Sequence, residues 1–291
     1  MTSSFRARPW ATWGAMSLFV LLWGSAAIFT RWGLDHGSAS ALLLVRYGVA
    51  LMALGLLVPL TRGPWLPERG TRRTVAFAGL LMVACYSVCY FQAMAHGITP
   101  GLIATLLGVQ PILTLLLVER RFSAARLRGL LLALAGLALV VRQSLQATGF
   151  DTTGLAYALA ALACVTLGAI VQKRVKQAPL QVLPLQYAVT LLVCLGFAAL
   201  QPLRWDGSLG FWAPALMLGL VISVLAQWLL YRLIQRGNLV NVTSLFYLVP
   251  AVTALLDWAV LGNVLGGWAV LGMGCILVGV VLVHQQGAVV R

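Results

Sequence analysis

Apolar runs of about 18 to 22 residues, separated by short polar stretches, recur along the whole chain. They fall at roughly 12–30, 39–60, 75–95, 100–119 and 126–143, and again at roughly 153–172, 182–201, 211–232, 239–260 and 266–284. A helix needs about 20 residues to cross a hydrocarbon core of ~30 Å. The pattern therefore predicts an all-α polytopic membrane protein with ten transmembrane helices.

The second five runs repeat the first five. A shift of 139 residues lays Ala104 on Thr243, Thr105 on Ser244, Gly108 on Tyr247 and Pro111 on Pro250. A shift of 140 lays Gly14 on Gly154 and Arg46-Tyr47 on Gln186-Tyr187, and a shift of 143 lays Gly129 on Gly272 and Gly136 on Gly279. The chain divides into a first repeat, 1–146, and a second, 147–291. Internal duplication of this kind is a hallmark of membrane carriers, which hold solute at the junction of their repeats.

Composition excludes a soluble protein, since 61% of the residues are hydrophobic and only 9% charged. The net charge of +14 is spread in short clusters between apolar runs, so it reads as a topology signal rather than a nucleic-acid surface. Arg6, Arg8, Arg62, Arg69, Arg72, Arg73, Arg120, Arg121, Arg126, Arg128, Lys173, Arg174, Lys176, Arg232, Arg236 and Arg291 fall on one side, against Arg31, Arg142 and Arg204 on the other. The positive-inside rule then puts both termini in the cytoplasm. An odd number of helices per repeat makes the second repeat upside down relative to the first.

Catalytic chemistry finds little support. The six acidic residues include no close pair within one apolar run, and His36, His96 and His284 stand at helix ends without partners at ligand spacing. Cys85, Cys89, Cys164, Cys194 and Cys275 all lie in apolar runs and read as packing residues. We therefore expect no enzyme activity, no metal and no cofactor; the expected partners are a small-molecule substrate and the lipid bilayer, with oligomeric state open.

Depth points to Pro111 and Pro250, each about 11 residues into its run and so near the bilayer midplane. A proline there removes a helix hydrogen bond, and serves either as a structural kink or as the frame of a cavity. Candidate lining residues at that level are Trp23, Tyr86, Tyr90, Gln110, Gln172, Trp228, Asn241, Ser244 and Tyr247 beside the two prolines. Thr243, Tyr247 and Pro250 share one face of a regular helix, while the matching Ala104 and Gly108 are small. Specificity is accordingly expected to reside more in the second copy. Charges inside the membrane need a reason. Arg46 could pair with helix carbonyls, meet an anionic substrate group or snorkel outward, the structural roles being favoured. His96, Glu119 and Asp257 are candidates for a hydrated gate, an ion pair or a coupling group.

Trp23-Gly24-Ser25, the early arginine of the second helix, and Tyr247-Leu248-Val249-Pro250 followed by Leu261-Gly262, Gly272 and Gly279 resemble the drug/metabolite transporter superfamily in its ten-helix, duplicated branch. Within it the chain is similar to bacterial amino acid and metabolite exporters, including the aromatic amino acid group. The resemblance implies a basket of two inverted repeats, a central cavity and alternating access, in a bacterial inner membrane. It also implies glutamates after the Leu-Gly of each repeat; the second repeat has Asn263 instead, and the first has a shortened turn with Glu119. Nucleotide-sugar or drug carriage, and a non-transporting membrane scaffold, are the competing readings.

Overall fold

The computed structural model describes residues 9–60, 64–119, 123–140, 142, 152–252 and 266–287. The first half contains α1 (Pro9–His36), α2 (Ala39–Leu60), α3 (Arg69–Ala95), α4 (Pro100–Leu107, resumed as Gln110–Val118) and α5 (Ala124–Val140). The second contains α6 (Thr152–Lys173), α7 (Pro179–Ala199), α8 (Leu209–Arg236), α9 (Leu239–Val252) and α10 (Gly267–Gly287). Among the described residues there is no strand, only an isolated bridge between Gly37 and Trp205. Helix satisfies its backbone polar groups internally, which lipid requires. Among the described residues seven helices are long and apolar enough to cross a bilayer; Leu102–Val118 and Leu239–Val252 are shorter.

Helix starts follow local chemistry. Thr99 precedes Pro100 and its Oγ1 accepts from the Leu102 N–H at 3.3 Å, so the cap and the fixed proline φ together begin α4. Asn238 does the same for α9, its Oδ1 accepting from the Val240 and Asn241 N–H groups. On the outer surface, Met52 and Leu192 stand at equivalent positions and are 65% and 68% exposed, as lipid-facing side chains should be.

Equivalent helices pack against one another. α2 meets α7, α5 meets α10, and the second segment of α4 meets α9, while α1 packs on α8 as α3 packs on α6. Tyr47 and Tyr187, which correspond in the duplication, sit ring to ring with centroids 5.4 Å apart. At the α5–α10 crossing a Cβ on Gly136 would lie 2.6 Å from the Gly272 carbonyl oxygen, and one on Gly129 would lie 3.0 Å from that of Gly279. Only glycine allows so close a backbone approach. The early residue of α5 thus meets the late residue of α10 and the late meets the early, so these equivalent helices run antiparallel. That crossing is the structural signature of inverted repeats.

Two departures from regular helix recur in both halves. α3 widens into a π-helical stretch over Leu80–Cys85 and α8 does so over Met217–Ala226, at equivalent places. α4, expected to bend at Pro111, breaks at Gly108-Val109, and α9 tightens into a 3-10 turn over Leu245–Tyr247, a stretch that overlaps the break in the duplication. The prolines supply the reason for the second pair. Pro111 has no N–H to give the carbonyl four residues earlier, and neither has Pro250, so the preceding turn reorganises.

Candidate functional site

A cavity with about 1030 Å³ of non-atom space, part of it continuous with the surroundings, lies where these irregular segments converge. α1 contributes Trp23, Ala26, Ala27 and Thr30, and α2 contributes Arg46 and Tyr47. From α3, the end of the π stretch and the turns after it supply Met82, Val83, Tyr86, Ser87, Tyr90 and Phe91. The broken α4 supplies Ala104, Leu107, Gly108 and Gln110. Across the repeat boundary stand Val165 of α6, Ile222, Gln227 and Leu230 of α8, and Phe246, Val249 and Pro250 of α9. Irregular backbone at membrane depth is tolerated where it lines such a space, and π segments are frequent at functional sites.

Aromatic rings form much of the wall. Trp23 stands edge-on to Phe246, centroids 5.6 Å apart at 75°, tying α1 to α9. Phe19 closes behind both rings at 5.1 and 5.4 Å. Tyr86 and Tyr90 form a tilted pair on α3 at 5.7 Å.

Against this apolar wall stand a few fixed polar groups. The Arg46 Nε donates to Ser223 Oγ at 2.9 Å, joining α2 to α8, and its guanidinium carbon lies 5.1 Å from the Tyr47 ring centre and 5.9 Å from that of Phe91. The Tyr47 hydroxyl and Ser87 Oγ are hydrogen-bonded at 2.6 Å, which sets the tyrosine ring. Gln110 and Gln227 are almost wholly buried amides on opposite halves.

Several residues expected in the lining lie elsewhere, each for a structural reason. Tyr247 is fully buried and packs with the α5–α10 core, because the 3-10 turn rotates α9 so that Phe246 and Val249 accompany Pro250. Pro111 is buried one position beyond the lining, and Gln110 takes the cavity side. Gln172 is fully buried, its Oε1 accepting from Gln186 Nε2 at 2.8 Å between α6 and α7. Trp228 lies under the Arg232 guanidinium at 4.3 Å. Ser244 turns its hydroxyl back onto the Asn241 carbonyl at 2.8 Å.

Asn241 belongs to a separate cluster at the arginine-rich end of the bundle. Arg126, 2% exposed, donates from Nη1 to both Glu119 carboxylate oxygens at 2.6 Å and from Nη2 to Asn238 Oδ1 and Asn241 Oδ1 at 2.8 and 2.7 Å. Asn238 completes the circuit by donating to Glu119 at 3.0 Å. Nearby, Lys173 Nζ donates to the Ile234, Gln235 and Gly237 carbonyls, fastening α6 to the α8–α9 turn. The Arg126 cluster joins the two halves and the Lys173 link ties helices within the second, none of these residues lining the cavity.

His96 lines a second pocket at the opposite end with Arg31 and Gln92, its Nδ1 donating to the Gln92 carbonyl at 2.9 Å. At that end the loop after α7 is tied down through Asp206. His36 Nδ1 at 2.6 Å and the Ser208 N–H hold its carboxyl down to about 2, below the usual carboxylate range. Asp257 lies outside the described residues.

The two copies contribute unequally to the wall. Among the described residues the cavity is lined mainly by the first repeat, because α1 through α4 all reach it, whereas α7 and α10 contribute nothing and α6 a single valine. Tyr47, Ser87, Phe91 and Phe246 were not foreseen in the lining. Tyr47 had one available signal, its place beside Arg46 in a matched pair; Phe246 had none, because its placement follows from the 3-10 turn.

Inverted repeats enclosing a cavity of aromatic and amide side chains define a membrane carrier for small molecules. The family model of EamA-like transporters matches the chain twice, over residues 11–142 and 152–285, and the chain belongs to that family. It is thus a multi-pass membrane protein of the drug/metabolite transporter superfamily, whose EamA members are transporters. No curated protein sequence matches it. A solved structure described only as the crystal structure of a protein has the same fold, with a TM-score of 0.77 at 22% identity over 96% of this chain and 99% of that one.

Proposed function

We propose that this protein exports small, partly apolar metabolites, foremost amino acids with aromatic or other apolar side chains, by alternating access from a bacterial inner membrane with both termini cytoplasmic. The observation that carries the reading is the composition of the cavity wall. Trp23, Tyr86, Tyr90 and Phe246 offer flat apolar surface, and Gln110 and Gln227 offer amide groups among them. Such a wall suits a solute with an apolar body and a small polar end.

The excess of basic residues on one side supports the orientation, and the resemblance of the sequence motifs to exporters supports the direction. Cation-pumping drug carriage is less well supported, since none of the described carboxylates lines the cavity.

Reconstitution into proteoliposomes tests the reading. Preloaded vesicles should show saturable counterflow of labelled phenylalanine, tyrosine, tryptophan or leucine that empty vesicles lack. Absence of saturable flux for all four would remove the amino acid assignment.

A further inference from the structure

Arg46 is the feature of the cavity that ordinary packing leaves over. Four described carboxylates are present; Asp35 pairs with Arg31, Asp206 with His36 and Glu119 with Arg126, while Glu68 stands in the loop before α3. None of them pairs with Arg46. The only hydrogen bond Arg46 makes to the described residues uses Nε, on Ser223 Oγ. Neither terminal Nη group, with four N–H donors between them, is hydrogen-bonded to a described residue, and Arg46 lines the cavity. A guanidinium at this depth is costly, and its aromatic neighbours Tyr47 and Phe91 steady it without neutralising it.

We propose that Arg46 binds the carboxylate of the carried solute, and that the cavity selects aromatic or apolar monocarboxylates, with or without an amino group. The two Nη groups match the two oxygens of one carboxylate side by side, while Ser223 holds the third nitrogen and so fixes the plane of the fork. Among the described residues the other polar lining groups are neutral, so one negative charge balances Arg46 and a phosphate dianion would leave a charge uncompensated. No described carboxylate in the wall awaits an ammonium group, which makes the amino group of an amino acid dispensable for binding. This rests on the cavity being the solute site, as in the amino acid reading, but predicts a different and wider substrate set.

The test uses the full-length chain in detergent, titrated with 3-phenylpropionate, L-phenylalanine and phenethylamine and followed by tryptophan fluorescence, Trp23 being in the wall. The two carboxylates should bind with similar affinity and the amine about ten- to a hundredfold more weakly, the expected value of a charge-assisted bidentate pair. Arg46→Gln should reduce carboxylate affinity by the same factor and erase the preference over the amine, and Ser223→Ala should reduce it less. Binding of phenethylamine as strong as that of the carboxylates, no binding of either carboxylate, or an unchanged affinity in a monodisperse Arg46→Gln protein would overturn the assignment. Should that variant fail to fold, the three-probe series on the wild-type protein decides alone. If 3-phenylpropionate binds while no amino acid shows counterflow, the Arg46 assignment stands and the amino acid reading falls; counterflow of amino acids with a flat charge series gives the reverse.

Discussion

Arg46 and Gln186 occupy equivalent places in the two halves and have opposite fates. Each is followed by a tyrosine, and the two tyrosines meet at the centre of the molecule. Each also lies where a glycine on a neighbouring helix permits close contact: a Cβ on Gly219 would come within 2.9 Å of the Arg46 carbonyl, and one on Gly79 within 2.6 Å of the Gln186 side chain. The backbone frame is shared, yet the side-chain surroundings diverge. Gln186 is sealed between α3, α6 and α7, donating to the Val75 carbonyl and to Gln172 at 3.1 and 2.8 Å. Arg46 opens into the cavity. An inverted repeat can thus hold one copy as framework and leave the other facing a cavity, with a single residue type marking which is which.

The largest effect should come from erasing that difference on the sealed side. Gln186→Arg would bury a guanidinium with no carboxylate beside it, and we expect a loss of about 3–5 kcal/mol, seen as collapse of the monodisperse peak in size-exclusion chromatography and a lowered melting temperature. A well-folded Gln186→Arg protein would mean that the two positions differ less than their burial indicates.

A smaller effect is expected where the halves are most alike. Gly136→Ala places its methyl carbon 2.6 Å from the Gly272 carbonyl, so α5 and α10 must separate, at a cost of about 1–3 kcal/mol in thermal unfolding. Insensitivity to this change would argue against a tight symmetric crossing.

The smallest should appear at Tyr247, whose hydroxyl has no protein hydrogen-bond partner among the described residues. Tyr247→Phe should leave stability within about 0.5 kcal/mol and leave solute flux unchanged. Lost flux would return this tyrosine to the solute path and restore the second copy as the main source of specificity.

What was legible in the sequence follows from how each feature arises. Helix, membrane insertion and the inverted pair of repeats depend on apolar length, charge bias and duplication, which are properties of runs of residues. Pro111 and Pro250 were readable as disturbances because proline acts on its own helix wherever it stands. Which side chains those disturbances turn inward was not readable. A regular helix puts Tyr247 on the face of Pro250, whereas one 3-10 turn moves it into the α5–α10 core and brings Phe246 round instead. Asn241 and Gln172 looked like cavity amides because both are polar within apolar runs. Their partners, Arg126 and Gln186, lie 115 and 14 residues away and are chosen only by packing.

By itself, then, the sequence determined a membrane-embedded, all-helical, twice-repeated carrier and the level at which its helices would be interrupted, since these rest on local chemistry and on the solvent the chain must match. The tertiary structure decided which copy lines the cavity and which arginine is spent on an ion pair. Arg126 and Arg46 are the same residue in apolar surroundings, and only the helices packed around each supply a carboxylate to one and an open wall of rings to the other.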